Sequence, residues 1–260
     1  MSASDKKVGL ALGGGAARGI AHIGVIKALH QYEIPIDAIA GTSAGSLVGG
    51  LYAAGLPIDT LVEQAKQLKW SDFASFHLSR MGMFSSRPIE QFVRKWIGNL
   101  TFQELKIPFA ALATDLLTGE GVILNEPDLQ LALAIKASAS FPGVYEPTEI
   151  NGRFLCDGGA SGNVPSSVVR EMGVDVVIAV DVIPTSQLDK MPKHVAAIVD
   201  RGLDLLLRQI SKLHVNEANI TLYPVQDPIT SFHVKKGAYL IELGMQAVHQ
   251  NIDAIRKIVS

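Results

Sequence analysis

The sequence predicts an α/β fold built on a largely parallel sheet. Apolar runs of strand length alternate with segments of helical periodicity along most of the chain. The first two runs each end in a glycine-rich turn that opens a helix. The run Val-Asp-Val-Val-Ile-Ala-Val at 174–180, bounded by turn residues, reads as a strand covered on both faces.

Val8, Leu10, Ala11 and Leu12 form the first strand, directly before Gly13. Ile20, Ile23, Val25, Ile26 and Leu29 mark a helix over 20–32 that lies on the sheet. Residues 36–40 form a second strand. Small residues over 44–54 make a helix, ended by Gly55 with Pro57 beyond, and 58–68 is another. Further on, 109–114 reads as a strand, 121–124 as a strand or hairpin arm, and 129–137 as a helix. After the strand at 174–181, long helices are expected at 195–215 and 236–258. No repeat, low-complexity tract or linker interrupts this order. One domain over 1–260 is expected, with its core over about 8–215 and a C-terminal helix over about 236–258.

Composition narrows the function. The 260 residues are 48% hydrophobic and 18% charged, enough apolar surface for a large core, so intrinsic disorder is excluded. The net charge of -2 offers no basic excess for phosphate backbones, which argues against nucleic-acid binding. The single cysteine, Cys156, rules out an internal disulfide and a Cys-built zinc site, and reads as a small buried residue. Low cysteine use and an opening without leader character predict a reducing cytoplasm. Residues 38–58 carry no charge and have the length of a membrane span. They also hold five glycines, Thr42, Ser43, Ser46 and Pro57, as a tight turn and a closely packed helix require. That second reading is taken. The segment 70–88 mixes Trp70, Phe73, Phe76, Leu78, Met81, Met83 and Phe84 without a period and closes at Pro88. It is either an irregular core-filling loop or a flap beside an apolar substrate channel.

Three motifs carry chemistry. Gly41-Thr42-Ser43-Ala44-Gly45 stands between a strand and a helix. A sharp strand-to-helix turn presents a serine hydroxyl above the sheet, and its crowding demands glycine two positions either side. The helix start adds positive potential beside Ser43. The second motif is Gly13-Gly14-Gly15-Ala16-Ala17-Arg18-Gly19. A dinucleotide fingerprint would put its third glycine where Arg18 stands, and an acid near position 40, where the chain has Ala40 and Gly41; Asp37 comes too early. An oxyanion hole made by backbone N–H groups of Gly13, Gly14, Gly15, Ala16 and Arg18 fits better, with Arg18 bracing the loop or adding charge. A turn that only packs helix on sheet is the bland alternative. The third motif, Asp157-Gly158-Gly159, is an acid at a strand end followed by flexible glycines, or an ordinary Asp-Gly turn.

A serine hydrolase needs a base. The histidines are His22, His30, His77, His194, His214, His233 and His249, and none stands in glycine-rich, site-like surroundings. His22 is expected to bond locally. A triad through His194, His214, His233 or His249 stays open.

The order glycine-rich loop, G-x-S-x-G, D-G-G resembles the patatin-like phospholipase family, in particular small bacterial single-domain members of the branch that includes neuropathy target esterase. The likeness runs over residues 8–55 and 137–165. Arg18, Gly19, His22 and Gly24 look like that family's oxyanion loop and following helix, and Ala137-Ser138-Ala139-Ser140-Phe141-Pro142-Gly143 resembles a segment lining its site. One departure is that Ala16 stands where the plant storage-protein loop has its third glycine. The resemblance implies a three-layer α/β/α fold and a Ser–Asp dyad without histidine, Ser43 as nucleophile and Asp157 as base. It implies a lipid or acyl-ester substrate and neither metal nor nucleotide cofactor. A histidine-using α/β hydrolase and an interaction protein keeping the fold as a scaffold are the competing functions. Any membrane contact, through 70–88, is expected to be peripheral, at the inner face.

Overall fold

A computed structural model describes residues 6–73, 75–76, 81–231 and 233–260; His77, Leu78 and the opening residues 1–5 lie outside them. Strand β1 (Val8–Leu12) leads through the glycine loop and a short 3-10 turn (Ala16–Ile20) into α1 (Ala21–Gln31). β2 (Ala38–Thr42) turns at once into α2 (Ala44–Ala53), and α3 (Ile58–Gln67) follows. A small ribbon of β3 (Ser75–Phe76) and β4 (Phe84–Ser85) precedes α4 (Arg87–Ile97). β5 (Phe109–Asp115) and β6 (Gly121–Leu124) make a hairpin. Then come α5 (Leu131–Ser138), β7 (Thr148–Ile150), β8 (Arg153–Asp157), α6 (Ser166–Glu171) and β9 (Val176–Val180). α7 (Val195–His214), β10 (Ile220–Leu222) and α8 (Gly237–Val259) end the chain.

The main sheet has eight strands, paired along β10-β9-β1-β2-β5-β8-β7 with β6 also on β5. From β10 to β5 all pairings are parallel, and those of β6, β7 and β8 are antiparallel. The sheet is thus mixed and mostly parallel, with helices packed on both faces. Period two explains the two faces. Val8, Leu10, Leu12, Ile39, Ile178 and Val180 pack into the larger core with α1, α2, α5 and α8. Ala11, Ala38, Ala40, Val177 and Ala179 face the other way, toward Val168 and Val169 of α6. Mostly small side chains on that face let α6 approach closely. On the larger face α1 and α8 cross in near contact: a Cβ on Gly24 would stand 1.9 Å from the Ile241 carbonyl oxygen.

Register at β5 places the site. Ala111 and Leu112 pair with both β2 and β6, so those strands take opposite edges of β5. Ala113 and Thr114 pair with both β6 and β8, so β8 also lies opposite β6. β2 and β8 therefore share one edge and meet end to end: Thr42 pairs with Leu112, and Asp157 with Ala113. Both chains must turn out of the sheet at that meeting point, and they do so at Ser43 and Gly158.

β2 begins and ends two residues later than the run 36–40 suggests. Asp37 is spent at the sheet's entry, where its carboxylate accepts the Val8 N–H at 2.7 Å. Parallel pairing with β5 then carries the strand through Gly41 and Thr42. The uncharged stretch 38–58 divides between β2 and α2, and no helix among the described residues is long and apolar enough to cross a membrane.

Candidate active site

The turn after β2 is tight. Ser43 has φ 53° and ψ -121°, a left-handed conformation that costs a side-chain-bearing residue energy and recurs at functional sites. A Cβ on Gly41 would lie 2.6 Å from backbone atoms of Gly45 and Ser46, and one on Gly45 would lie 2.1 Å from the Leu12 carbonyl oxygen. Backbone fills both places, so only glycine fits. The Ser43 N–H donates to Ser138 Oγ at 3.0 Å, and Ser138 Oγ–H donates to the Leu112 carbonyl at 2.6 Å. The segment 137–143 thereby holds the turn from behind. Ser43 also caps the ten-residue helix α2.

Asp157 closes β8 opposite. Its N–H donates to the Ser140 carbonyl at 2.9 Å, and its own carbonyl accepts the Thr114 hydroxyl at 3.0 Å. Its Oδ1 accepts the Gly159 N–H at 2.8 Å, and Ser43 lies across from it on the wall of the same cavity. A Cβ on Gly158 would stand 2.1 Å from the Leu112 carbonyl oxygen, so the chain leaves the strand there only as glycine. Asp157 is 3% exposed. Burial pushes its carboxyl up to about 6, with the Ser43 hydroxyl and the Gly159 N–H opposing the rise. Neighbouring Cys156 is buried, and burial beside Asp157 raises its thiol to about 11, so it stays a neutral thiol.

The glycine loop approaches Ser43 from β1. A Cβ on Gly14 would lie 3.2 Å from Ser43 Cβ, and one on Gly19 would lie 2.4 Å from Ala44 Cβ. Three of the five amides offered by the sequence are already used. Gly13 N–H donates to Val180, Gly14 N–H to Asn163, and Arg18 N–H to Gly15, each at a backbone carbonyl. Among the described residues, Gly15 and Ala16 are the two of the five whose amides have no protein acceptor. A sheet-anchored loop spends its outer amides on its own anchoring, which leaves Gly15 and Ala16 the amides with free donors among the five expected. Ala16 has φ 51°, so the alanine in place of a glycine sits at a position that favours glycine.

Arg18 braces rather than charges the loop. It is 2% exposed, its Nε donates to the Gly15 carbonyl at 3.2 Å, and its two terminal nitrogens grip Asp204 of α7 at 2.6 and 2.9 Å. His22 is fully buried and bonds through Nε2 to the Gly13 carbonyl at 2.7 Å. Burial lowers its pKa to about 4, so the ring is neutral and Nε2–H is the donor.

The other described histidines bond elsewhere or stand exposed. His214 Nδ1 bonds the Ile210 carbonyl at 2.9 Å, His233 bonds Thr230, His249 bonds Tyr32, and His194 stands exposed before α7. Among the described residues no histidine bonds Ser43 or Asp157. One polar group that the motifs did not single out is Asn163. It is buried, its Nδ2 donates to Ser211 Oγ at 3.0 Å, and its Oδ1 has no partner. That oxygen would lie 2.8 Å from a Cβ on Gly14. A D-G-G followed four residues later by Asn is the only signal in the sequence that could have marked it.

Ser43 and Asp157 face a cavity of about 420 Å³. Its walls are apolar: Leu47 and Leu51 from α2, Leu61 from α3, Phe92 and Trp96 from α4, Leu203 and Leu207 from α7. Trp70, Phe73 and Met83 from the segment 70–88 join that wall. An aliphatic chain entering here would find dispersion contacts on all sides and a hydroxyl–carboxylate pair at one end.

The profile of the patatin-like phospholipase family matches residues 10–169. An uncharacterized NTE family protein of Mycobacterium tuberculosis is 40% identical over 180 residues, covering 68% of this chain and 49% of that protein. Lysophospholipase NTE1 of Scheffersomyces stipitis is 33% identical over 185 residues, covering 69% of this chain and 12% of that one. The chain thus spans about half the length of its mycobacterial relatives and a far smaller share of the yeast protein. In fold, VipD from Legionella pneumophila is similar at a TM-score of 0.59 and 15% identity, over 96% of this chain and 67% of that chain.

Proposed function

The chain belongs to the patatin-like phospholipase family, and from that premise we propose that it hydrolyses acyl esters of lipids through Ser43 and Asp157. The observation that carries this reading is the end-to-end meeting of β2 and β8 on β5, which brings Ser43 and the buried Asp157, its carboxyl raised to about 6, to one cavity wall. An ordinary aspartate, near 3.9, is a feeble base for a hydroxyl. Asp157 is a stronger base and is still ionised at neutral pH.

In the proposed reaction Ser43 Oγ attacks the ester carbonyl and its proton passes to Asp157. The carbonyl oxygen gains the negative charge and meets the amides of Gly15 and Ala16, beside the start of α2. Collapse breaks the ester C–O bond, and the leaving alcohol takes the proton back from Asp157. Water then attacks acyl-Ser43, giving one proton to Asp157, which returns it to Ser43 Oγ as the acid departs. The apolar walls suit the acyl chain. A lysophospholipid, as in the name of the yeast relative, is the lipid ester this reading favours.

Ser43→Ala and Asp157→Asn test the reading directly. Each is expected to lose turnover of a nitrophenyl acyl ester and of a lysophospholipid while keeping the wild-type circular dichroism spectrum. Full turnover in either folded variant removes the dyad.

A further inference from the structure

Helix α7 is built inside out. Its buried residues are Asp200, Asp204 and Ser211. All three are engaged inward. Asp204 holds Arg18, Asp200 accepts the Ser231 hydroxyl, and Ser211 accepts from Asn163 and supports Asp181. Spacings of four and seven put them on one side. The opposite side carries Val195, Ile198, Leu205, Leu206 and Leu213, all exposed, with Leu206 at 64% and Leu213 at 73%. These side chains recur at helical spacing, so they form one stripe along the helix rather than scattered apolar positions. Nothing inside the fold requires them to be apolar.

Charge identifies what the stripe meets. Residues 184–214 expose Lys190, Lys193 and Lys212, and Asp189 is the only exposed carboxylate among them; Arg201 and Arg208 are half-buried and donate to the Ser186 and Thr185 carbonyls. The whole chain is slightly acidic, at -2, so this cationic rim is a local concentration. Apolar side chains rimmed by cations suit a bilayer surface with anionic headgroups. The same helix lines the cavity through Leu203 and Leu207, on the side that faces Ser43 and Asp157.

We infer that the outward face of α7 docks this protein on an anionic lipid bilayer, with the cavity opening alongside the docked helix. The inference rests on the hydrolase reading for its benefit, since a docked helix shortens the path of an acyl chain from bilayer to Ser43. It does not rest on it for its test. Binding is independent of turnover, and it places membrane contact on α7 rather than on the segment 70–88.

The test is co-sedimentation of the Ser43→Ala chain with vesicles of phosphatidylcholine, with and without phosphatidylglycerol. Binding is expected to phosphatidylglycerol vesicles and to weaken with added salt. Leu206→Glu combined with Leu213→Glu should lower the partition coefficient by about tenfold or more. In the wild-type background, the same pair should leave hydrolysis of a monomeric, short-chain ester within about twofold, because neither side chain lines the cavity. Lys193→Glu combined with Lys212→Glu should remove the preference for phosphatidylglycerol. The inference fails if the chain ignores both vesicle types, or if the leucine pair binds them as well as its parent. It also fails if the chain is a dimer that the leucine pair splits while vesicle binding is absent, which would make the face a contact between copies. Loss of ester hydrolysis in the wild-type chain, with vesicle binding intact, would count against the hydrolase reading and not against docking.

Discussion

Ser43 and Asp157 stand at the facing ends of two strands that share one edge of β5, and both line one cavity. Backbone pairing alone brings them there, because Leu112 and Ala113 are consecutive and each strand must turn away at its last paired residue. Activity that depends on this pair carries the ionisation of Asp157. With its carboxyl raised to about 6, the basic form is lost as pH falls through that value. We expect kcat/KM for a soluble acyl ester to be level above pH 7 and to fall about tenfold per unit below pH 6. His22, lowered to about 4, adds nothing in that window. A pH–rate profile on the wild-type chain checks this.

The same carboxyl costs stability. Its folded pKa lies above the unfolded value near 3.9, so the folded state holds the charge less readily. That penalty is full above about pH 6, shrinks as pH falls, and vanishes below about pH 4. Asparagine keeps the acceptor for Gly159 N–H and removes the charge. Asp157→Asn should therefore be more stable than wild type at pH 8, by up to about 3 kcal/mol, and equal to it near pH 3. Denaturant melts at the two pH values measure the difference.

The grip of Arg18 on Asp204 ties the glycine loop to α7 with both charges buried. Asp204→Ala strands the guanidinium and should cost about 3–5 kcal/mol. Arg18→Met with Asp204→Leu should recover most of that stability. Its esterase activity should stay low, since the bond from Arg18 to the Gly15 carbonyl goes too. Urea unfolding and ester turnover on both variants separate the effects.

Ala16 carries a side chain at φ 51° beside the reacting centre. Ala16→Gly should keep activity and leave stability unchanged or raised by about 0.5–1 kcal/mol, because glycine takes that conformation freely. Ala16→Val should lower kcat by about a hundredfold, as a β-branched residue at that φ displaces the amides of Gly15 and Ala16. Steady-state kinetics with thermal melts check both.

Much of this fold is legible in local pattern. The strands at 8–12, 109–115 and 176–180 are apolar runs because they are covered on both faces, and the glycines of 41–45 announce a turn that backbone atoms crowd. Helix α4 also carries a readable signal, Ile89, Phe92, Val93 and Trp96 at helical spacing, that an alternation of strands and helices passes over. The antiparallel β7 and β8 are short, and only pairing with β5 makes them strands. Other features are not local at all. Asp204 looks like a surface acid until Arg18, 186 positions earlier, is placed against it. Which loop amides remain open depends on Val180 and Asn163, both far along the chain from the loop they anchor.

Mass-spectrometric mapping of fluorophosphonate labelling, run in parallel on wild type and Asp157→Asn, tests the central claim most directly. One label per wild-type chain, on Ser43, with little or none on the folded variant, is the predicted result. A label on another residue, or equal labelling of Ser43 with and without the carboxylate, would contradict it.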